Sequence, residues 1–140
     1  MSYLLDTNVI SELRKGKRAD ANVTAWFADV AEEEIFLSVL TIGEIRRGIE
    51  NVRRRDPNSA AALDRWLALL SEAHADRVVS IDRAITEEWG RMNVPDPLPV
   101  VDGLLAATAR VLGLTLVTRN IADVEGIGVE LLDPFKRDPA

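Results

Sequence analysis

Apolar residues gather in two kinds of segment along this chain. Short, nearly continuous apolar runs occur at Tyr3 to Leu5, Ile35 to Val39, Val78 to Ile81, Leu114 to Val117 and Gly128 to Leu132. Runs of that length without strict alternation suit strands covered on both faces. Between them, apolar residues recur every three or four positions over about residues 8–15, 22–31, 41–54, 58–75, 83–92 and 100–112, the spacing of helices with one buried face. Strands and helices thus alternate, and that order predicts an α/β fold with a central, mainly parallel sheet flanked by helices in three layers. "RRRDPNS" at 53–59 and the proline-rich "NVPDPLP" at 93–99 separate successive helices, and Gly113 stops the last one. No repeat or long linker interrupts the pattern, so a single domain is expected over residues 1–135, with 136–140 as a C-terminal tail.

The helical faces carry a second message. On the 100–112 helix, Val101, Leu104, Leu105, Thr108, Val111 and Leu112 form the expected core stripe, and Asp102 stands off it in line with Ala106 and Ala109. On the 41–54 helix the stripe is Ile42, Ile45, Ile49 and Val52, and Glu44 stands off it with Gly48 one turn on. Both acids are expected to project from surfaces of small residues that leave room for a ligand.

Composition narrows the chemistry. The 140 residues include no cysteine and one histidine, His74, which excludes disulfides, thiolate zinc sites, cysteine nucleophiles and multi-histidine metal sites. Any bound metal must be held by oxygen. The net charge of −6, from 17 basic and 23 acidic residues, argues against bulk electrostatic coating of nucleic acid. Two local basic clusters remain: Arg14, Lys15, Lys17 and Arg18, and then Arg46, Arg47 and Arg53 to Arg55. Each reads as a solvated face unless an acidic site lies between them. No apolar run approaches the roughly 18–20 residues of a membrane span, and the N-terminus lacks a signal-peptide pattern, so a cytoplasmic protein is expected.

Four acids fall just past predicted strands or in the first turns of predicted helices. Asp6 ends the first one, Glu44 lies in the first turn of the helix after the second, Asp102 opens the helix after the prolines, and Asp123 lies just beyond "TLVTRN". In open α/β sheets the carboxyl edge of the strands is where ligands bind. Each acid alone also has a purely structural explanation. Thr41 to Glu44 reads as a capping box, Asp102 suits a helix N-terminus, and Asp6 and Asp82 each suit a helix cap. Together, four carboxylates at one edge repel one another unless a cation neutralises them, and Mg²⁺ or Mn²⁺ is the cation class that oxygen ligands suit. Asn8, Thr118 and Asn120 are candidates to hold metal-bound water.

Other signals are weaker. His74 sits in the polar stretch "SEAHADR" and is expected at the surface, and Trp26, Trp66 and Trp89 lie among apolar helix positions and are expected to pack. "LDTN" lacks the second acid of a phosphatase-type aspartate pair, and no lysine follows a late strand as a receiver domain requires.

"LLDTNVISEL", "LSVLTIGEIRRG", "VVDGLLAATARVLGLTLVTRNIAD" and "GVELLDPF" together resemble PIN-domain ribonucleases of the VapC type, near the FitB-like branch. The resemblance spans the whole chain and is weakest between residues 53 and 98. It implies a PIN-like fold and a metal-binding quartet on Asp6, Glu44, Asp102 and Asp123, with Asn8, Thr118 and Asn120 supporting it. Members often carry an aromatic residue after the last acid, where this chain has Val124. The implied activity is that of a type II toxin that cleaves RNA with Mg²⁺, Mn²⁺ being a possible substitute. The implied partners are a VapB-type antitoxin and a second toxin copy, with promoter DNA bound only through the antitoxin. Arg14, Arg46, Arg47 and Arg119 are the candidates for RNA phosphate contacts. A non-catalytic partner-binding module and a DNA-directed nuclease are the rival readings.

Overall fold

The computed structural model describes residues 1–136, so most of the expected tail lies outside the described residues. Five strands form one sheet: β1 (Tyr3–Leu5), β2 (Ile35–Ser38), β3 (Val78–Val79), β4 (Thr115–Val117) and β5 (Leu131–Leu132). They lie in the order β3-β2-β1-β4-β5, and every pairing is parallel. Seven α-helices are present among the described residues: α1 (Thr7–Leu13), α2 (Ala21–Ala28), α3 (Val39–Arg53), α4 (Pro57–Ala73), α5 (Arg83–Met92), α6 (Val100–Leu112) and α7 (Ile121–Val124).

Neighbouring residues of each strand face opposite layers, and this builds two cores. Leu5, Ile35, Leu37 and Val117 point into one, against Val9 and Ile10 of α1, Val23 of α2, Ile45 and Ile49 of α3 and Leu67 of α4. Leu4, Leu116 and partly buried Phe36 point into the other, against Leu105, Ala106 and Ala109 of α6 and Val124 of α7. The predicted three layers therefore correspond to α1–α4, the sheet, and α5–α7.

Caps explain most helix boundaries. Asp56 accepts a bond from the Ser59 N–H ahead of Pro57, and Asp82 accepts one from the Ile85 N–H, as expected for that residue. Gly113 ends α6 in the left-handed conformation with φ of 68°. The expected strand over 128–132 shortens to its last two residues, because Gly126 and Gly128 turn the chain with φ of 85° and 78°.

Three expectations fail here. The α3 helix starts at Val39, not near Thr41: Ser38 is its cap, accepting from the Leu40 N–H, so Thr41 to Glu44 is not a capping box. The core stripe of α6 is also displaced. Val111 and Leu112 are exposed while Ala106, Ala107 and Ala109 are fully buried, because alanines let the helix lie close against Leu4 and Leu116. His74 is buried, since it follows the last turn of α4 and its Nδ1–H donates to the Leu70 carbonyl at 3.0 Å. It borders a small apolar cavity of about 120 Å³ with Leu5, Ile10, Leu37 and Trp66. The tryptophans pack as expected, Trp26 meeting Tyr3 edge-on at 5.2 Å.

Candidate functional site

Chain direction places the site. From β1 the sheet grows through β2 and β3 on one side and through β4 and β5 on the other, so the strand order reverses between β1 and β4. At such a switch point the connections leave in opposite directions and open a crevice beyond the strand carboxyl ends. Asp6 follows β1 and Thr118 follows β4, and the Asp6 N–H donates to the Val117 carbonyl at 2.9 Å. The two residues lie side by side at the mouth of that crevice.

Asp6 has a double role. It caps α1, its Oδ1 accepting the Thr7 N–H at 2.7 Å, and its Oδ2 accepts the Thr118 hydroxyl at 2.8 Å and the Asn8 amide at 3.4 Å. The Thr118 hydroxyl oxygen in turn accepts the Asn120 N–H at 3.0 Å, and Asn8 Oδ1 accepts the Arg119 N–H at 3.3 Å. The carboxylate is thus locked in one rotamer while only 6% of its residue surface is exposed. Asn8 and Thr118 bond Asp6 directly, and Asn120 joins them only through its backbone N–H on Thr118.

Glu44 reaches the same place from α3. It lies in the second turn, one turn beyond the expected position, and its Oε1 accepts the Thr7 hydroxyl at 2.7 Å. Thr7 is the residue that the sequence reading left out, and the only signal for it was its place inside "DTN". Asp102 sits in the first turn of α6, on the line that continues through buried Ala106 and Ala109 toward the sheet. Asp102 thus comes from the layer opposite α1 and α3. Gly103 lets this turn pack tightly, since a Cβ there would meet Trp89 Nε1 at 3.1 Å and Leu98 Cβ at 3.3 Å. Asp123 is exposed on α7, with Val124 behind it buried in the core.

The electrostatics join the four acids. Burial pushes the Asp6 carboxyl above its ordinary range, the Thr118 and Thr7 bonds pull it part of the way back, and the Glu44 charge adds to the rise. Asp102 is also raised, first by burial and then by the charges of Asp6, Asp123 and Glu44. Among the described residues no three acids close into a ready metal cage. The four acids thus share a field without forming a closed cluster. The donor chemistry fits a hard divalent cation: carboxylate oxygen throughout, no thiolate, and the single imidazole buried elsewhere.

The candidate RNA-contacting arginines differ in what they touch. Arg46 is held by Asp64 at 2.6 Å and Glu50 at 3.3 Å. The Arg14 guanidinium lies over Trp66 at 5.9 Å and that of Arg119 over Phe135 at 4.5 Å. Arg47 is exposed. Arg119 stands beside the site through its bond to Asn8.

Comparison with known proteins gives a consistent picture. The PIN domain family profile matches residues 3–122. Plasmid stability protein StbB of Pseudomonas syringae pv. tomato is 30% identical over 140 residues, covering 95% of this chain and 98% of the relative. VapC ribonuclease Y4jK of Sinorhizobium fredii is 29% identical over 141 residues, covering 95% of this chain and 97% of the relative. The crystal structure of FitAcB from Neisseria gonorrhoeae superposes with a TM-score of 0.88 at 26% identity, over 96% of this chain and 99% of that one.

Proposed function

This chain belongs to the PIN-domain family, and from that premise we propose that it is the toxin of a type II toxin–antitoxin pair, a metal-dependent endoribonuclease that hydrolyses RNA phosphodiester bonds. One observation carries the reading. Asp6 is locked beside Thr118 at the topological switch point and Glu44 is tied next to it through Thr7, while Asp102 feels the charges of Asp6, Asp123 and Glu44.

Asp6, Asp102, Asp123 and Glu44 would hold one or two Mg²⁺ ions, with Mn²⁺ as a substitute. When bound, such an ion makes water acidic enough to attack at neutral pH and offsets charge on the phosphate and leaving oxygen. The chain's own contribution is positional. Thr118, Asn8 and the Thr7 N–H fix the Asp6 carboxylate, the rigid β1 strand behind it fixes its height, and the close packing of Gly103 fixes Asp102. Arg119, next in sequence to Thr118, would meet an RNA phosphate once its guanidinium leaves Phe135, with Arg14 and the exposed Arg47 as further contacts in this reading. Arg46 reaches RNA only by giving up its two carboxylate partners.

The proposal extends to the assembly. A VapB-type antitoxin covers the acidic edge, two toxin copies pair, and promoter DNA is bound through the antitoxin. The domain spans residues 1–135 and works in the cytoplasm. No helix among the described residues is long and apolar enough to cross a membrane.

Incubation of the purified protein with matched RNA and DNA strands tests the reading. Cleavage of RNA is expected with Mg²⁺ or Mn²⁺, none in excess EDTA, and recovery when the ion is restored. Undiminished cleavage in chelator would overturn the metal requirement, and preferential cleavage of DNA would overturn the substrate.

A further inference from the structure

We propose that Thr7 is a positioning residue for the metal centre, acting through Glu44; the inference rests on the proposed metal-dependent activity. Its hydroxyl donates to Glu44 Oε1 at 2.7 Å across 37 positions of sequence, tying the first turn of α1 to the second turn of α3. A hydroxyl at a helix N-terminus is ordinarily explained by capping, but here the cap is Asp6, which already accepts the Thr7 backbone N–H. The Thr7 hydroxyl is therefore free for another task, and it spends its one proton on a carboxylate of the site.

The pairing suits that task. Glutamate has three side-chain torsions and sweeps a wide volume, whereas a β-branched threonine is stiff at its first torsion. A stiff donor on the turn that also carries Asp6 ties the Glu44 carboxylate to the position of its neighbour. Thr7 takes one oxygen, and nothing else among the described residues donates to Glu44, so the second oxygen is left for the cation. Asp6 is held at both oxygens, by Thr118 and Asn8 at one and by the Thr7 N–H at the other. Thr7 therefore touches both acids, one through its backbone and one through its side chain.

Mn²⁺ binding by the metal-free protein, measured by calorimetry, tests this without reference to cleavage. Thr7→Val keeps the shape and the backbone N–H but removes the hydroxyl, and it should weaken Mn²⁺ binding by roughly tenfold or more. Thr7→Ser should recover most of that loss. In a Glu44→Gln background, Thr7→Val should add nothing, because its effect runs through that carboxylate. Unchanged Mn²⁺ affinity in Thr7→Val, a Thr7→Ser protein as weak as Thr7→Val, or full additivity with Glu44→Gln would each overturn the positioning role while leaving the proposed function standing. Absence of Mn²⁺ binding by the wild-type chain would overturn both.

Discussion

Two charged regions of this molecule follow opposite electrostatic rules. Between α3 and α4, Arg46 and Arg53 interleave with Glu50 and Asp64 at 2.6 to 3.3 Å, and each charge faces its opposite. The bonds from Arg53 and Arg46 hold Asp64 and Glu50 below the usual carboxylate range. At the sheet edge, burial and like charge push Asp6 and Asp102 above that range. The first arrangement stabilises the fold as it stands. The second costs stability until something positive arrives, and a fold keeps such a cost where a site needs it.

The sharpest way to break this contrast is to remove one acid from the edge. Asp102→Asn should reduce cleavage by more than the roughly 10–100-fold typical of outer-shell partners, and at neutral pH it should raise the melting temperature of the metal-free protein. The shift of Asp102 comes from burial and three like charges with no bond opposing it, so the neutral amide relieves repulsion without breaking a contact. Asp6→Asn should be as inactive but gain less, since the Thr118 hydroxyl loses its charged acceptor. A mutant that melts well below wild type in chelator would mark that acid as structural.

A pH series separates the regions next. Asp6 and Asp102 have folded pKa values above the ordinary 3.8, so the folded state binds their protons more tightly than the unfolded chain does. Stability without metal should therefore fall as pH rises from about that value through the raised range, with the full penalty present above it. Asp64 and Glu50 have the opposite sign: their contribution is present above the unfolded value and is lost as pH falls through the lowered one. Melting in chelator should accordingly peak below neutrality, and Asp102→Asn should flatten the decline toward neutral pH. A curve for the mutant that parallels wild type throughout would assign that decline to other groups.

How far the sequence foretold these regions depends on the range of the interactions. The alternation of strands and helices and some helix ends were legible because apolar runs and residues such as Asp82 and Gly113 act on their own neighbours. The start of α3 was not, since "LSVLT" offers a cap residue at both Ser38 and Thr41, and the choice is made by where β2 stops pairing. The buried side of α6 was misread because alanine is equally at home facing a sheet or water, and only the closeness of Leu4 and Leu116 decides. His74 escaped for a similar reason: its sequence neighbours are polar, but the apolar residues that cover it come from β1, β2 and α1. That Asp6 and Thr118 lie at one carboxyl edge was readable from strand polarity. The Thr7 bond to Glu44 and the Asp64 bridge were not, because they pair side chains 37 and 11 to 18 positions apart through helix rotations that no local pattern encodes.

The smallest expected effect tests the compensated region. Asp64 joins α4 to both arginines of α3, so Asp64→Asn leaves Arg46 and Arg53 with only Glu50. These side chains are partly solvated, and exposed pairs of this kind contribute little because water and salt screen them. The melting temperature should drop slightly, and the deficit relative to wild type should shrink as salt is added. Freed of Asp64, Arg46 becomes available to a phosphate, so RNA affinity should rise a little and its salt dependence should steepen. An unchanged salt slope would show that the α3–α4 face lies off the RNA path and that its charges serve the fold alone. A steeper one would show that the two regions are coupled, with Asp64 holding in reserve a cation that the acidic edge can use when substrate is bound.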